Sequence, residues 1–441
     1  MSAAPSVFDL IERVATSGGY AKLAELLSRT ERMVEGELAL HQRRRFAAVV
    51  RHARETVPYY ADLPALPEEP SPEDLLRIPI LRRETVRDRA AELESTRFPK
   101  GHAVEREANS SGSTGRHVTV KVDSVAANVG HGVALRDSAW HGRDPRLKGA
   151  TIRAVADGAR APEGRRLERW LAHAESGPGA LLDVHTKPAE QLEWLLRENP
   201  AYLATYPSNA GALLEEAERR RVSWPALREL GTFGEVLPDA LRETCRRVWN
   251  VPLVDAYSCV ELGQLALECP LGGRYHVQSE NVLLEVLRED GTPCGSGETG
   301  RVVVTALHGF VMPLVRYEVG DYAELGAPCA CGRTLPVLER ILGRARSTIR
   351  LPTGERIWPR YGSNVLGGLF PVRQFRLRQV APSRLVLEMV LDRALSRSEG
   401  EGLRKFVLGT LRYPFELEFV EVSDIPRSPG GKFEDVVCEL E

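Results

Sequence analysis

Gln191–Ser208 reads QLEWLLRENPAYLATYPS, a helix-like stretch followed by a short apolar run and a Tyr-Pro-Ser segment. The same alternation recurs from about Ala126 to Val260, and it is the pattern of α/β layering, with helices covering both faces of a sheet. The expected fold class is therefore α/β. Upstream, from about Ser2 to Glu92, apolar residues fall three and four apart, broken by the Pro-rich segment Leu63–Pro72, so a helical start is expected. Downstream, from Tyr275 to Leu325, segments such as NVLLEVL, RVVVTAL and FVMPLVRY alternate with Gly-containing turns, which implies a β-rich, barrel-like or second-sheet subdomain. After Gly343–Arg344 come two strands (RQFRLRQV, RLVLEMVL), a helix (SEGEGLRKFVLGTLR) and another strand (ELEFVEV), enough for one small α+β domain. The expected organisation is a large multi-layer domain over 1–342, with its helical start at 1–92 and its β-rich part at about 275–342, followed by a small domain over 343–441.

A chain of 441 residues exceeds one ordinary core, in keeping with two or more domains. Hydrophobic residues make up 43% and charged residues 27%, the mixture of an ordinary globular protein. No stretch approaches the roughly 20 apolar residues that cross a bilayer, and the N-terminus lacks the features of a signal peptide, so membranes are excluded and the cytoplasm is expected. A net charge of -2, spread over alternating acids and bases, gives no one-sided field that would hold nucleic acid. The basic run Arg43–Arg45 lies in a stretch with helical apolar spacing and reads as a solvated helix face. Seven cysteines, an odd number at low density, argue for a reducing compartment and against a disulfide framework.

The segment Asn109–Arg116 is a loop that precedes the strand-like run His117–Val122. Within it, Ser110, Ser111, Gly112, Ser113, Thr114, Gly115 and Arg116 combine tight-turning glycines, hydroxyls that donate to phosphate oxygens, and a terminal cation. That chemistry suits a polyphosphate, although the Walker spacing is absent. The loop resembles the phosphate loop of acyl- and aryl-CoA synthetases and other adenylate-forming enzymes, the phenylacetate–CoA ligase branch above all. Further segments resemble that branch in the same order: GEVL at Gly234–Leu237, AYSCVELG at Ala256–Gly263, RYEVGDYAEL at Arg316–Leu325, GRARSTIR at Gly343–Arg350 and SPGGKFEDV at Ser428–Val436. HQRRRFAAVVRHARETVPYY and LLRIPILRRETVRD extend the likeness upstream over nearly the whole chain.

The resemblance implies ATP-dependent activation of a small, aromatic carboxylic acid as its acyl-AMP, with release of pyrophosphate and transfer of the acyl group to the thiol of coenzyme A. A carrier-protein thiol, an amine or another acceptor is the alternative destination, and an inactive nucleotide-binding scaffold is the alternative of a different class. Residues 343–441 correspond to the family's mobile lid. Lys432 is then the lid lysine that bridges the carboxylate and α-phosphate oxygens, where an ammonium orients two anions and offsets developing charge. Glu261 helps to bind Mg²⁺, a hard ion that prefers oxygen ligands. Gly234, Glu235, Ala256, Tyr257 and Ser258 flank the nucleotide, Asp321 accepts the ribose hydroxyls, and Arg344 contacts ribose or phosphate near the hinge. Trp140, Tyr206, Pro207 and Ser208 fall where the family lines its acyl pocket, and a homodimer is among the expected assemblies. The chain departs from the pattern at Arg346 and Ser347, where many relatives carry acids, and at Arg116–His117, where many carry Lys-Pro.

Cys269 and His276 flank six residues, and Cys329 and Cys331 form a C-A-C pair. Soft ligands from two segments compose a closed Cys₃His site for structural Zn²⁺, provided that the fold joins segments 52 residues apart. Some members of the branch resemble this arrangement.

Overall fold

Three helices, Val7–Thr16, Tyr20–Thr30 and Glu35–Thr56, form the N-terminal segment. The first starts where Ser6 and Asp9 satisfy each other's backbone N–H groups in a capping box, and it buries Phe8, Ile11 and Ala15 on one face. The second buries Leu23, Leu26 and Leu27, and both stripes close on Val125, Val129 and Val133 of the helix Ser124–Trp140. This computed structural model describes residues 6–109, 117–155, 161–171, 174–359 and 363–440. It falls into two units, the first formed by 1–147, 169–177 and 256–341, and the second by 148–168, 178–255 and 342–441.

In the first unit, strands run in the order Val282–Leu287, Thr299–Ala306, Tyr317–Leu325, Val337–Arg344, Tyr275–Val277 and Gly263–Glu268. The second hydrophobic cluster of this unit joins this sheet to the N-terminal helices through Phe46, Val49, Val302, Val304 and Tyr317. A separate antiparallel pair, Val104–Asn109 with Thr119–Asp123, brackets the serine- and glycine-rich loop, and Ser110–Arg116 themselves lie outside the described residues.

A buried polar chain ties this unit together. Asp123 caps the helix Ser124–Trp140 by accepting from the Val125 N–H, and it also accepts from the N–H groups of Phe310 and Val311. His102 stands between Asp123 at 2.8 Å and Glu12 at 3.0 Å. Burial opposes the charge on His102, but the two carboxylates raise it to about 9. Burial likewise opposes ionisation of Glu12, yet His102 and Arg45 hold it down to about 2. The run Arg43–Arg45 is thus not a uniformly solvated face: Arg45 is buried, pairs with Glu12 and donates to the Leu307 carbonyl at 2.8 Å. Successive helical residues turn by about 100°, so three consecutive arginines cannot share one face.

In the second unit, Gly149–Arg153, Gly179–Asp183, Tyr202–Thr205 and Glu229–Phe233 form a parallel sheet, with Arg165–Leu167 antiparallel at its edge. Helices Pro188–Glu198, Pro207–Arg220 and Asp239–Trp249 connect or follow these strands, and Leu192, Leu195, Leu213, Leu214, Leu230 and Leu241 fill the core. Pro188 and Pro207 each stand in the first turn of a helix, where the missing N–H costs nothing. The opening helix–strand motif therefore forms as expected, with Tyr206 at the N-cap of the next helix. From 363 onward, strands Val372–Ala381, Arg384–Leu391, Glu416–Glu421 and Val436–Cys438 make a four-stranded sheet packed by the helix Arg397–Leu411 through Leu403, Val407 and Leu411.

Candidate functional site

Two groups of site residues gather in the two units, and each is built by strand ends. In the first unit, the strand Leu253–Cys259 delivers Tyr257, whose hydroxyl donates to Asp321 Oδ2 at 2.8 Å. Ala256 and Ser258 lie on the same strand, opposite Leu267 and Gln264. Two residues beyond the strand, the buried Glu261 uses one oxygen, Oε1, to accept from Arg83 Nη1 at 2.8 Å and from the Tyr317 hydroxyl at 3.2 Å. A buried carboxylate needs such compensation. Burial, reinforced by the negative charge of Glu261, raises the Tyr317 phenol well above its ordinary range, so it stays a donor. A hard cation takes oxygen ligands of this kind, and the described bonds hold this carboxylate through Oε1. Sequence reasoning did not single out Arg83; its only signal was a place in LRRETVRD.

In the second unit, Glu235 sits just after the strand Glu229–Phe233 and Ser208 in the first turn of the helix Pro207–Arg220. The Ser208 N–H donates to Glu235 Oε2 at 2.9 Å and its hydroxyl to Oε1 at 3.0 Å. The same Oε1 accepts from the backbone N–H of Phe433 at 2.7 Å, which seats the loop Ser428–Val436 on this carboxylate. Tyr206 donates to the Gly430 carbonyl at 3.2 Å. Gly431 has φ +78°, and a Cβ there would lie 2.6 Å from Val184 Cγ1, so only glycine fits. Lys432 passes over Gly234, where a Cβ would stand 3.5 Å from Lys432 Cε. Burial, helped by Glu235, pushes the Asp435 carboxyl up to about 6. At the start of the C-terminal segment, Gly343 has φ +84° with Val236 packed against it, and Arg344 ends the strand Val337–Arg344. Gly234, Glu235, Tyr206, Ser208 and Lys432 thus form one constellation.

A third group, in the first unit, is compact. Ligand atoms of Cys269, His276, Cys329 and Cys331 all lie within 4.8 Å of one another. The strand Tyr275–Val277 pairs with Gly263–Glu268 on one side and Val337–Arg344 on the other, and this pairing overcomes the sequence separation. Cys269 and Cys329 sulfurs are 3.7 Å apart, and Cys331 Sγ is 3.2 Å from His276 Nε2. With Nδ1 facing the Leu335 carbonyl at 3.5 Å, the histidine presents Nε2 to the sulfurs. Burial holds His276 down to about 4, so its imidazole is neutral, and burial pushes the Cys269 thiol up to about 12. The donor set fits Zn²⁺. Trp140 belongs to this neighbourhood: its ring meets His276 edge-on at 5.7 Å, lies under Arg333, and its N–H donates to Glu31 at 2.7 Å.

The fold is similar to that of solved acid–CoA ligases, and the site segments follow the order in which they resemble the adenylate-forming enzymes. In sequence the chain is similar to the phenylacetate–CoA ligase branch: it is 28% identical over 352 residues to phenylacetate-coenzyme A ligase of Thermus thermophilus, covering 75% of each chain. No family model matches the chain. Among solved structures, 2-hydroxyisobutyryl-CoA ligase in its postadenylation state superposes with a TM-score of 0.73 at 19% identity, over 93% of this chain and 92% of that one. o-Succinylbenzoate coenzyme A synthetase of Bacillus subtilis, with ATP and magnesium, matches with a TM-score of 0.54 at 18% identity, over 76% and 69%. Among the described residues, no helix is long and apolar enough to cross a membrane.

Proposed function

We propose that this protein activates a small aromatic carboxylic acid in two steps, the first of which uses the lysine-bearing loop. The acid's carboxylate attacks the α-phosphate of ATP, pyrophosphate leaves, and acyl-AMP forms; the thiol of coenzyme A then attacks the acyl carbonyl and AMP leaves. Lys432 orients the carboxylate and α-phosphate and offsets charge in the first step. Glu261 is the Mg²⁺ ligand, Asp321 holds the ribose with Tyr257 fixing its carboxylate, and the loop Ser110–Arg116 takes the polyphosphate. Residues 343–441 act as the lid, with Arg344 at its hinge, and Tyr206, Pro207 and Ser208 border the acyl group. Cys269, His276, Cys329 and Cys331 hold Zn²⁺ as a staple, outside the chemistry.

The observation that carries this reading is the seating of the Lys432 loop on Glu235 and Ser208, because it brings the Lys432 side chain to the segment expected to flank the nucleotide. The likeness to phenylacetate-coenzyme A ligase supports an aromatic acid. The test is a panel of phenylacetate, benzoate, anthranilate and 2-hydroxyisobutyrate in ATP–pyrophosphate exchange. The best acid is then followed by mass spectrometry with coenzyme A, a phosphopantetheinyl carrier protein and an amine. An aryl substrate and a coenzyme A thioester are expected; exchange with none of the acids, or a product only with another acceptor, would refute it.

A further inference from the structure

We propose that Arg427 is a positioning residue for the adenylation half-reaction, fixing the backbone on the N-terminal side of Lys432 while Glu235 fixes the C-terminal side. This rests on the role given to Lys432 above. The two peptide groups that flank Lys432 are each held by a charged side chain. Its preceding carbonyl, that of Gly431, accepts from Arg427 Nη1 at 3.2 Å. Its following N–H, that of Phe433, donates to Glu235 Oε1 at 2.7 Å. The two holders are themselves joined, because Arg427 Nη1 also donates to the Ser208 hydroxyl at 2.6 Å, and that hydroxyl donates to Glu235 at 3.0 Å.

Arg427 Nη1 carries two N–H groups, and these two bonds use both. The Arg427 nitrogen stands 3.8 Å from Glu235 Oε1, and both side chains are largely shielded from water. Within the loop, the Gly431 N–H donates to the Ser428 carbonyl at 2.8 Å and the Ser428 N–H to the Lys432 carbonyl at 2.9 Å, so the turn is rigid once its base is anchored. Arg427 therefore does two things with one nitrogen: it closes the turn on itself and docks that turn on the body of its unit. A lysine at this position keeps the charge and loses the planar fork. In a half-reaction where Lys432 is not used, such docking contributes nothing.

Arg427→Gln in the full chain tests this, with the panel acid that drives the most exchange. Exchange at saturating ATP is expected to fall about 10- to 100-fold, since misplacing a group by an ångström has that scale of effect. The KM for ATP should stay within about twofold, the mark of an interaction outside ground-state binding. Transfer to coenzyme A from chemically prepared acyl-AMP should be unchanged, and Arg427→Lys should recover part of the exchange. Equal losses in both half-reactions, or a raised KM for ATP at unchanged rate, would overturn the proposal; if the glutamine variant is unstable, the same comparison is read in Arg427→Lys. Amide hydrogen exchange over 428–436 needs no acid. It should speed up in Arg427→Gln while the strand Val372–Ala381 is unaffected, and an unchanged loop would also overturn the proposal. Full ATP–pyrophosphate exchange in Lys432→Ala removes the role of the lysine instead, and leaves the hydrogen-exchange result standing.

Discussion

The cysteine–histidine cluster of the first unit and the lysine-loop seat of the second are both assembled from segments far apart in the chain, yet they are held by different forces. At the cluster, four donor atoms converge within 4.8 Å of one another, and Cys269 and His276 among them are buried. Such a site is closed once by a metal and stays closed. At the seat, a carboxylate, a hydroxyl, a guanidinium and two backbone groups exchange ordinary hydrogen bonds at 2.6–3.2 Å. Each is worth only about 1–3 kcal/mol net, so the set can be made and broken within a catalytic cycle. The contrast assigns permanence to one region and reversibility to the other.

Breaking the cluster should have the largest effect on the folded state. Cys269→Ser or Cys331→Ser is expected to abolish stoichiometric zinc, seen by metal analysis, and to lower the thermal midpoint by many degrees, because structural zinc binding is folding free energy of roughly 10 kcal/mol or more in small zinc domains. A chelator should reproduce the drop in the unaltered chain. Next comes Gly431→Ala, which places a methyl 2.6 Å from Val184 Cγ1 at a left-handed φ. Exchange should fall about tenfold or more while the thermal midpoint moves little, since the strain falls on a reversible contact. If Gly431→Ala instead unfolds the protein, the seat is as permanent as the cluster. Smaller still is the pH dependence of the first unit. The raised His102 contributes stability that is complete below about 6.5 and is lost as pH rises through about 9, whereas the lowered Glu12 contributes stability lost as pH falls from about 4.5 towards 2. Urea midpoints measured against pH should decline on both sides, and His102→Gln should flatten the alkaline limb.

The same contrast marks what could be read in the sequence. Helices, strands and their alternation were legible because apolar spacing reports local geometry, as in the stripe Phe8, Ile11, Ala15 and in the helix–strand pair of Gln191–Ser208. The cluster was legible because cysteine and histidine are few and their chemistry is narrow. The seat was not. Glu235 meets Phe433 across 198 residues through a backbone N–H, which every residue but proline carries and no side-chain pattern reveals. Arg427 lies one residue before the segment that drew attention, and as a single arginine ahead of a glycine loop it had no spacing to mark it. Arg45 misled for a related reason: the run of three arginines reads as one charged face, but the carboxylate that buries its last member comes from another helix. Trp140 was placed near the acyl pocket by its region of the chain, whereas its side-chain contacts are to His276, Arg333 and Glu31.

The central claim is that Lys432, carried by its seated loop, serves acyl-adenylate formation. Acid-dependent ATP–pyrophosphate exchange by Lys432→Ala, set against transfer from preformed acyl-AMP to coenzyme A by the same variant, tests it most directly. The account predicts exchange reduced by about 100-fold or more, the scale for removing one preorganised electrostatic partner, with transfer largely retained. Exchange at the level of the unaltered chain would contradict it.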